Sequence, residues 1–139
     1  MRQVAAGVAV VTTDGPAGRH GATVSTFCSV SADPPTVLIY LGTERLIAKA
    51  IEQNHEFCVN VLCQQQIDVA NRFARREDDH ITDRFSGIEC SGAPDVSPAL
   101  DKATVFSCRI QKLVNAGSHL IVIGQVSAAQ PADPTPVTY

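Results

Sequence analysis

The sequence predicts a mainly β domain, a closed or nearly closed antiparallel barrel with two or so helices on its outside. Three observations favour this fold class: about six segments have strand character, two amphipathic segments are set between them, and a long hairpin lies near the carboxyl end. The chain shows no internal repeat and no linker. With 139 residues it fits one domain that is large enough to bury a core.

The first two strands are expected to form a hairpin. Residues 7–13 are a β-branched run that ends at a Gly/Pro-rich turn, and residues 21–35 form a second strand that ends at a double proline. Residues 36–41, Thr-Val-Leu-Ile-Tyr-Leu, are continuously apolar. Such a run is typical of a central strand that is covered on both faces.

Two helices are expected on either side of a strand at residues 56–62. The first opens at Gly42-Thr43 and extends through Gln53, with Thr43 as its N-cap and Asn54 as its stop. The second runs from about residue 64 to residue 75. The stripes expected to face the barrel are Leu46, Ile47, Ala50 and Ile51 in the first helix and Ile67, Ala70, Phe73 and Ala74 in the second.

The rest of the chain predicts a long loop followed by a hairpin. Residues 77–98 carry charge, Gly and Pro with little periodicity, so we expect a loop with a short strand at residues 88–90. Residues 102–114 alternate between apolar and polar side chains, which indicates a half-buried antiparallel strand. After a turn at residues 115–118, residues 119–128 are expected to return as its partner.

Composition excludes several classes of function. The net charge of −3 and the pI near 5.7 give no electrostatic footprint for nucleic acid. No run approaches the roughly 18 apolar residues that span a bilayer, and the amino end lacks the apolar region of a signal peptide, so we expect a cytoplasmic protein. The five cysteines lack a Cys-x-x-Cys pair and the four histidines are scattered. We therefore expect reduced thiols and no metal site.

Hydroxyl groups are concentrated on one face of the strand at residues 21–35. Thr23, Ser25, Ser29 and Ser31 share this face with Phe27, because side chains alternate across a strand. Hydroxyls taken out of water need hydrogen-bond partners. Two interpretations stand equally: the serines face solvent, or they form a binding ledge for an uncharged or anionic ligand.

Six ordered blocks of the sequence resemble the short-chain flavin reductases, which supply reduced flavin to two-component monooxygenases. The blocks are residues 7–13, 21–35, 57–62, 72–74, 83–87 and 116–119, the last with the Ile-Val-Ile-Gly of residues 121–124. The resemblance covers nearly the whole chain. No single block would be sufficient, but their common order is a strong signal.

The resemblance implies an FMN-binding split β-barrel of six antiparallel strands, assembled as a homodimer with flavin near the subunit interface. It implies hydride transfer from NADH or NADPH to FMN, FAD or riboflavin, and delivery of the reduced flavin to a partner monooxygenase. Because the two rings exchange hydride directly, no protein acid, base or nucleophile is mandatory. The alternatives are a flavin-binding barrel without turnover and a structural partner subunit.

The resemblance also implies site residues. His119 matches the family histidine near the nicotinamide and is the expected catalytic residue. The flavin is expected to lie along one strand, at the strand-to-helix junction and beside the second helix. These contacts match Ser25, Thr26, Phe27, Cys28, Ser29 and Ser31, then Tyr40, Leu41, Gly42 and Thr43, and finally Arg72 and Phe73.

Three departures from the family pattern affect these expectations. Glu44 and Arg45 stand where the family offers hydroxyls to the flavin phosphate; Arg45 could pair with the phosphate, or Glu44 could repel it. Ser118 replaces the usual Asp beside His119, which removes an orienting carboxylate. The family pattern extends beyond both ends of this chain. If those segments complete the barrel edge or the dimer, we expect lower stability or activity.

Overall fold

The computed structural model describes residues 8–24, 27–74, 85, 90–91 and 97–131. A single turn of 3-10 helix, Gln64–Gln66, precedes the second α-helix. The elements in these residues are β1 (Ala9–Thr13), β2 (His20–Val24), β3 (Phe27–Ala32), β4 (Pro35–Gly42), α1 (Leu46–Asn54), β5 (Glu56–Val61), α2 (Ile67–Ala74), β6 (Cys90–Ser91), β7 (Ala99–Leu100), β8 (Thr104–Ala116) and β9 (His119–Gln130).

Seven strands form one antiparallel sheet in the order β2-β1-β5-β8-β9-β4-β3, and β6 and β7 form a separate small hairpin. β2 and β3 lie at opposite edges, yet three peptide steps from Val24 to Phe27 span at most about 11 Å. The sheet must therefore curl until its edges approach each other, as in a barrel. The predicted antiparallel barrel with two helices is confirmed. It has seven strands rather than six because the segment predicted as one strand, residues 21–35, supplies both edges.

The predicted hairpins are present. β1 pairs antiparallel with β2, from Ala9 opposite Val24 to Thr13 opposite His20. β8 and β9 pair along almost their whole length. β9 is two residues longer than the sequence indicated, whereas β8 has the expected length and lies two residues further along the chain. They meet at a tight turn in which Gly117 has a φ of +67°, a left-handed conformation that glycine adopts without strain.

The two faces of β1 and β5 pack against different groups of apolar residues. Val11, Val59 and Phe57 point into the main core, which fills the barrel and also includes Ile47 and Ile51 of α1. Val10 and Cys58 point the other way, into a second cluster that contains Phe73 of α2 together with Phe85, Leu100, Ala103 and Val105. Both strands are therefore covered on both sides, and α2 rests on the second cluster.

The start of α1 differs from the prediction. The helix begins at Leu46, and its N-cap is Arg45, whose side chain makes no capping hydrogen bond. Thr43 does not cap the helix because its hydroxyl donates instead to the carbonyl of Ser118, 3.1 Å away. Ser118 lies 75 residues further along the chain, so the sequence around Thr43 does not show that its hydroxyl bonds to Ser118 and does not cap the helix.

The predicted helix stripes are correct at their centres and wrong at their ends. Ile47, Ala50 and Ile51 are buried, as are Ala70 and Phe73. Leu46 is 69% exposed and Ile67 is 60% exposed, and Ala74 is also exposed. Leu46 and Ile67 are the first residues of their helices, and Ala74 is the last of α2. Residues at these ends lie beyond the part of each helix that packs against the sheet, so their side chains are exposed.

Asn54 ends α1 as predicted and also joins the helix to the β1–β2 turn. Its side-chain amide donates to the Thr13 hydroxyl and the Gly18 carbonyl, both at 3.1 Å, and its carbonyl oxygen accepts from the Ala17 nitrogen at 2.8 Å. The chain then reverses at His55, whose φ is +67°. Asn54 therefore fixes the position of α1 relative to the first hairpin.

β4 lies between β3 and β9 in the sheet, as expected for an interior strand, but only one of its faces is covered within this chain. Val37, Ile39 and Leu41 are buried in the main core, whereas Tyr40 on the opposite face is 42% exposed. The expectation that both faces are covered is thus wrong for the single chain. The physical reason is that neither core cluster, among the described residues, reaches this outer side.

The predicted loop at residues 77–98 lies mostly outside the described residues. Its described strand is β6, Cys90–Ser91, which pairs with β7 and overlaps the short strand expected at residues 88–90 in one position. All five cysteines are free thiols in the structure. No helix in the described part of the chain has the length and hydropathy to cross a membrane.

Candidate functional site

The junction between β4 and α1 is joined to the β8–β9 turn. Thr43 donates to the Ser118 carbonyl from its backbone nitrogen at 3.0 Å as well as from its hydroxyl. Within the sheet, Gly42 lies directly opposite His119. The predicted flavin junction and the predicted nicotinamide residue therefore meet at one end of the β4–β9 ladder.

Gly42 leaves a gap beside His119. Residues directly opposite in an antiparallel pair point to the same face, so a side chain on Gly42 would lie next to the imidazole. A Cβ built on Gly42 would stand 3.5 Å from Cγ of Arg45. His119 is exposed and Arg45 is half-buried. Gly42 thus carries no side chain between Arg45 and His119, and we call the surface formed by these three residues the Gly42 cradle.

Arg45 also contacts the end of α2. Its Nη2 donates to the carbonyl of Phe73, with a nitrogen–oxygen distance of 3.4 Å. Arg72, the neighbouring residue of α2, is half-buried. The structure thus brings Arg45 to the end of α2, the helix on which the family pattern places the second edge of the flavin site.

The ring of Phe73 is not available to a ligand in this structure. It is completely buried, packs edge-on against Phe85 with ring centroids 4.9 Å apart, and lies so close to Gly21 that a Cβ there would be 2.7 Å from the ring. Phe73 therefore contributes its ring to the second cluster. Its backbone carbonyl, which faces Arg45, is the part of Phe73 that lies towards the candidate site.

Two of the three described hydroxyls of the predicted ledge make internal hydrogen bonds. The Thr23 hydroxyl donates to the Ala70 carbonyl at 2.6 Å, and the Ser31 hydroxyl accepts from the Asp33 nitrogen at 3.3 Å. Ser29 is exposed. Ser25 and Thr26 lie outside the described residues. Within the described part of this strand, Ser29 is therefore the serine whose side chain faces solvent.

The other β3 residues divide between the core and the surface. Phe27 is half-buried against the main core, with its ring centroid 6.1 Å from that of Phe106. Cys28 is exposed. Leu41, in the neighbouring strand, is buried, so only its backbone can meet a ligand. The predicted flavin strand thus offers a thiol, a hydroxyl and backbone groups at its surface.

An apolar face that the sequence interpretation missed lies on the outer side of β4, β9 and β8. Tyr40 is opposite Ile121, which is opposite Val114, and Leu38 is opposite Ile123. Apart from Tyr40, these side chains are half-buried. We call these five residues the outer apolar face. The continuous apolar run at residues 36–41 was its signal, since an apolar outer side implies a further partner surface.

The two buried thiols are not nucleophiles at neutral pH. Burial raises the pKa of the Cys58 thiol, and burial raises the pKa of Cys108 to about 12, so both remain protonated. Among the described residues, no group of histidine, cysteine and carboxylate side chains is arranged to hold a metal ion. The chemistry that these residues offer is hydrogen bonding, cationic charge and apolar contact.

A cavity of about 340 Å³ lies at the opposite end of α1 from Arg45, lined by Asp14, Gly15, Pro16, Asn54 and Glu56. None of the predicted site residues lines it. Its two carboxylates make it unsuitable for an anionic nucleotide. On chemical grounds, the cradle at Gly42 is the better candidate.

A profile of the flavin reductase like domain matches residues 1–139. The chain belongs to this family. The resemblance found in the six sequence blocks is thereby confirmed.

Individual flavin reductases align along most of the chain. FMN reductase (NADH) RutF of Stutzerimonas stutzeri (strain A1501) is 37% identical over 134 residues, 96% of this chain and 76% of the relative. The solved structure of Streptomyces globisporus C-1027 NADH:FAD oxidoreductase SgcE6 in complex with NAD and FAD fragments has a TM-score of 0.80 and 33% identity, covering 90% of this chain and 74% of that one. The solved structure of the styrene monooxygenase flavin reductase SMOB of Pseudomonas putida S12 has a TM-score of 0.78 and 29% identity, and the match covers 94% of this chain and 81% of that one.

The described residues of this flavin reductase domain fit a flavin nucleotide. The cradle at Gly42 is a space that a side chain would fill, and it has a cationic wall at Arg45. The α1 N-terminus beside it adds backbone N–H groups that lack intrahelical partners, which favours an anionic phosphate. Neutral groups on β3 and a buried core behind them suit an uncharged ring system.

Proposed function

We propose that this protein is an NADH-dependent flavin reductase, which transfers a hydride from NADH to a flavin and releases the reduced flavin to a partner monooxygenase. Membership of the flavin reductase like family supports the reaction, and a relative described as an FMN reductase (NADH) supports the choice of nicotinamide. The structural observation that carries the proposal is the Gly42 cradle, with His119 on one side and Arg45 on the other.

The flavin supplies the hydride acceptor, and the protein's part is to bind and orient. His119 would contact the nicotinamide, and Arg45 and Arg72 would contact the flavin phosphate side. Gly42, Thr43, Tyr40 and Leu41 would meet the flavin through the junction. Ser25, Thr26, Phe27, Cys28, Ser29 and Ser31 would border the ring system, and Phe73 would contribute its carbonyl through Arg45. Close, oriented placement of two reactants can lower a barrier by about 7–11 kcal/mol.

The defining experiment mixes purified protein with NADH and FMN, FAD or riboflavin in turn. The absorbance of NADH should fall much faster than in a blank that contains only flavin and NADH. Protein that retains a yellow flavin without oxidising NADH would instead be a flavin-binding barrel, the alternative that the internally bonded hydroxyls of Ser31 and Thr43 favour. Protein that does neither would be a structural subunit.

Replacement of His119 by alanine should raise the KM for NADH about three- to tenfold, because it removes one hydrogen-bonding group next to the nicotinamide. The KM for flavin should change by less than about twofold. Steady-state kinetics with each substrate varied in turn measure the two constants. His20→Ala, at the start of β2, is the matched control. Equal effects on both substrates would remove His119 from the nicotinamide site.

Replacement of Arg45 by alanine should weaken FMN binding about tenfold and riboflavin binding by less than about twofold. The difference arises because a guanidinium forms charge-assisted hydrogen bonds with the phosphate that riboflavin lacks. Quenching of flavin fluorescence measures both dissociation constants. Arg109→Ala, an exposed arginine on β8, is the control. The same loss for both flavins would show that Arg45 supports the fold and does not recognise the phosphate.

A second copy of the chain is the proposed occupant of the outer apolar face, which gives a homodimer. Tyr40→Glu should weaken dimerisation on the order of 100-fold, because an unpaired charge would be buried at the interface. Sedimentation equilibrium measures the dissociation constant. Lys49→Glu, on the exposed side of α1, is the charge-changing control. A Tyr40→Glu protein that associates as tightly as wild type would place the interface elsewhere.

A further inference from the structure

The β8–β9 turn places a hydroxyl against the ring of His119. Ser118 Oγ lies 3.0 Å from His119 Nδ1, which is a hydrogen-bonding distance. Both residues are exposed, so an imidazole without this partner could rotate in solvent. We propose that Ser118 is a positioning residue that holds the His119 ring with Nε2 towards the nicotinamide. This inference rests on the proposed function.

The backbone that carries this hydroxyl is held from the neighbouring strand. Thr43 donates twice to the Ser118 carbonyl, at 3.0 Å from its nitrogen and 3.1 Å from its hydroxyl. His119 is itself held by its pairing with Gly42. Ser118 therefore approaches the imidazole from a restrained backbone, which reduces the conformational entropy lost when the contact forms.

A hydroxyl constrains an imidazole differently from a carboxylate. A neutral imidazole has one N–H and one acceptor nitrogen, and a hydroxyl can pair with either because it both donates and accepts. An ionised carboxylate only accepts, and it would add a negative charge near the anionic pyrophosphate of NADH. Ser118 therefore orients the ring without repelling the dinucleotide. The contact between Ser118 and His119 therefore orients the imidazole without adding a charge to the site.

Ring-nitrogen NMR tests the contact without turnover. In protein labelled with ¹⁵N-histidine, the His119 signals are assigned by their loss in His119→Ala. We expect the Nδ1 resonance to shift in Ser118→Ala, which removes the partner. We expect it to keep its wild-type position in Ser118→Thr, which retains a hydroxyl. An unchanged Nδ1 resonance in Ser118→Ala would overturn the proposal.

Steady-state kinetics test the role of the contact in the reaction. Ser118→Ala should raise the KM for NADH about two- to tenfold, the effect of one neutral hydrogen bond, with kcat and the flavin KM within about twofold of wild type. Ser118→Thr should restore the KM. Ser127→Ala is the matched control, because Ser127 is an exposed serine of the same hairpin that bonds only to the Ser107 carbonyl in the contacts described.

A double substitution separates positioning from direct contact. In a His119→Ala background, Ser118→Ala should have no further effect on the KM for NADH, because Ser118 acts through the imidazole. If Ser118→Ala raised the KM for NADH equally in the wild-type and His119→Ala backgrounds, the proposal would be overturned. A wild-type protein without flavin-dependent NADH oxidation would overturn the proposed function and the nicotinamide role together, whereas an active enzyme indifferent to Ser118→Ala would overturn the role of Ser118 alone.

Discussion

Replacement of Gly124 by valine should abolish stable folding, and replacement by alanine should lower the free energy of unfolding by about 1–3 kcal/mol through overpacking. Gly124 lies on the inner face of β9. A Cβ at this position would be 2.6 Å from the Phe57 ring and 3.2 Å from Cβ of Cys108. Phe57 is completely buried in the main core, so the ring cannot move aside without disturbing its neighbours.

The sign of the alanine effect is informative, because strand propensity alone would make alanine stabilising by about 0.5–1 kcal/mol relative to glycine. Gly42→Ala is the control, since its Cβ would meet only ordinary contacts. Denaturant unfolding followed by circular dichroism suits a chain without tryptophan. Phe57→Leu should partly rescue Gly124→Ala; strictly additive losses would show that the two positions are not in steric conflict.

Replacement of Asn60 by leucine should cost about 3–5 kcal/mol, a large part of the roughly 5–15 kcal/mol that stabilises a typical domain. Asn60 is completely buried in β5. Its amide donates to the Val10 carbonyl at 2.8 Å and the Thr12 hydroxyl at 3.1 Å, and its oxygen accepts from the Leu100 nitrogen at 2.9 Å. Leucine would leave two buried backbone groups without these partners.

The same denaturant measurement tests the Asn60 prediction. Asn115→Leu, at an exposed position in β8, is the matched control and should change stability by no more than about 0.5 kcal/mol. We also expect Asn60→Leu to loosen the second cluster, because Leu100 belongs to it and packs with Phe73. Stability within 1 kcal/mol of wild type, on the order of one hydrogen bond, would show that the backbone groups find other partners.

Local periodicity was sufficient for most of the sheet. The alternation in β8 and the apolar run in β4 each predict a strand, and the turns at residues 14–18 and 115–118 predict the hairpins that are observed. The division of one predicted strand into β2 and β3 was not predicted. The position of the division depends on which strands pair in the barrel. The alternation of side chains has the same period of two before and after it, so the sequence pattern does not reveal where one strand ends and the next begins.

The errors at the helix ends have a common physical cause. By local criteria, Thr43 is a suitable N-cap and Leu46 a suitable first residue of the apolar stripe, so both favour a helix that starts at residue 43. The carbonyl of Ser118 competes for the Thr43 hydroxyl, and this contact exists only after β4 and β9 have paired. Long-range hydrogen bonds of this kind override local capping preferences.

The site was predictable in outline and not in detail. The family pattern indicated His119, Gly42 and Thr43, and the fold places all three at one end of the β4–β9 ladder. The helix pattern predicted that Phe73 is buried and the family pattern placed Phe73 at the flavin site; the sequence could not decide between these roles, because an aromatic residue on an amphipathic helix fits a core and a ligand site equally well. The buried polar residue Asn60 gave no sequence signal, since its three partners come from two other segments.

The closeness in sequence of the two sheet edges has a consequence for solubility. In an open sheet, β2 and β3 would each present unpaired N–H and C=O groups that recruit strands from other molecules. Here a link of two residues keeps those edges near each other, so neither is presented as a long, flat template. Proteolytic nicking between Val24 and Phe27 would release both edges at once, and intermolecular strand pairing is the failure to which a nicked barrel would be prone.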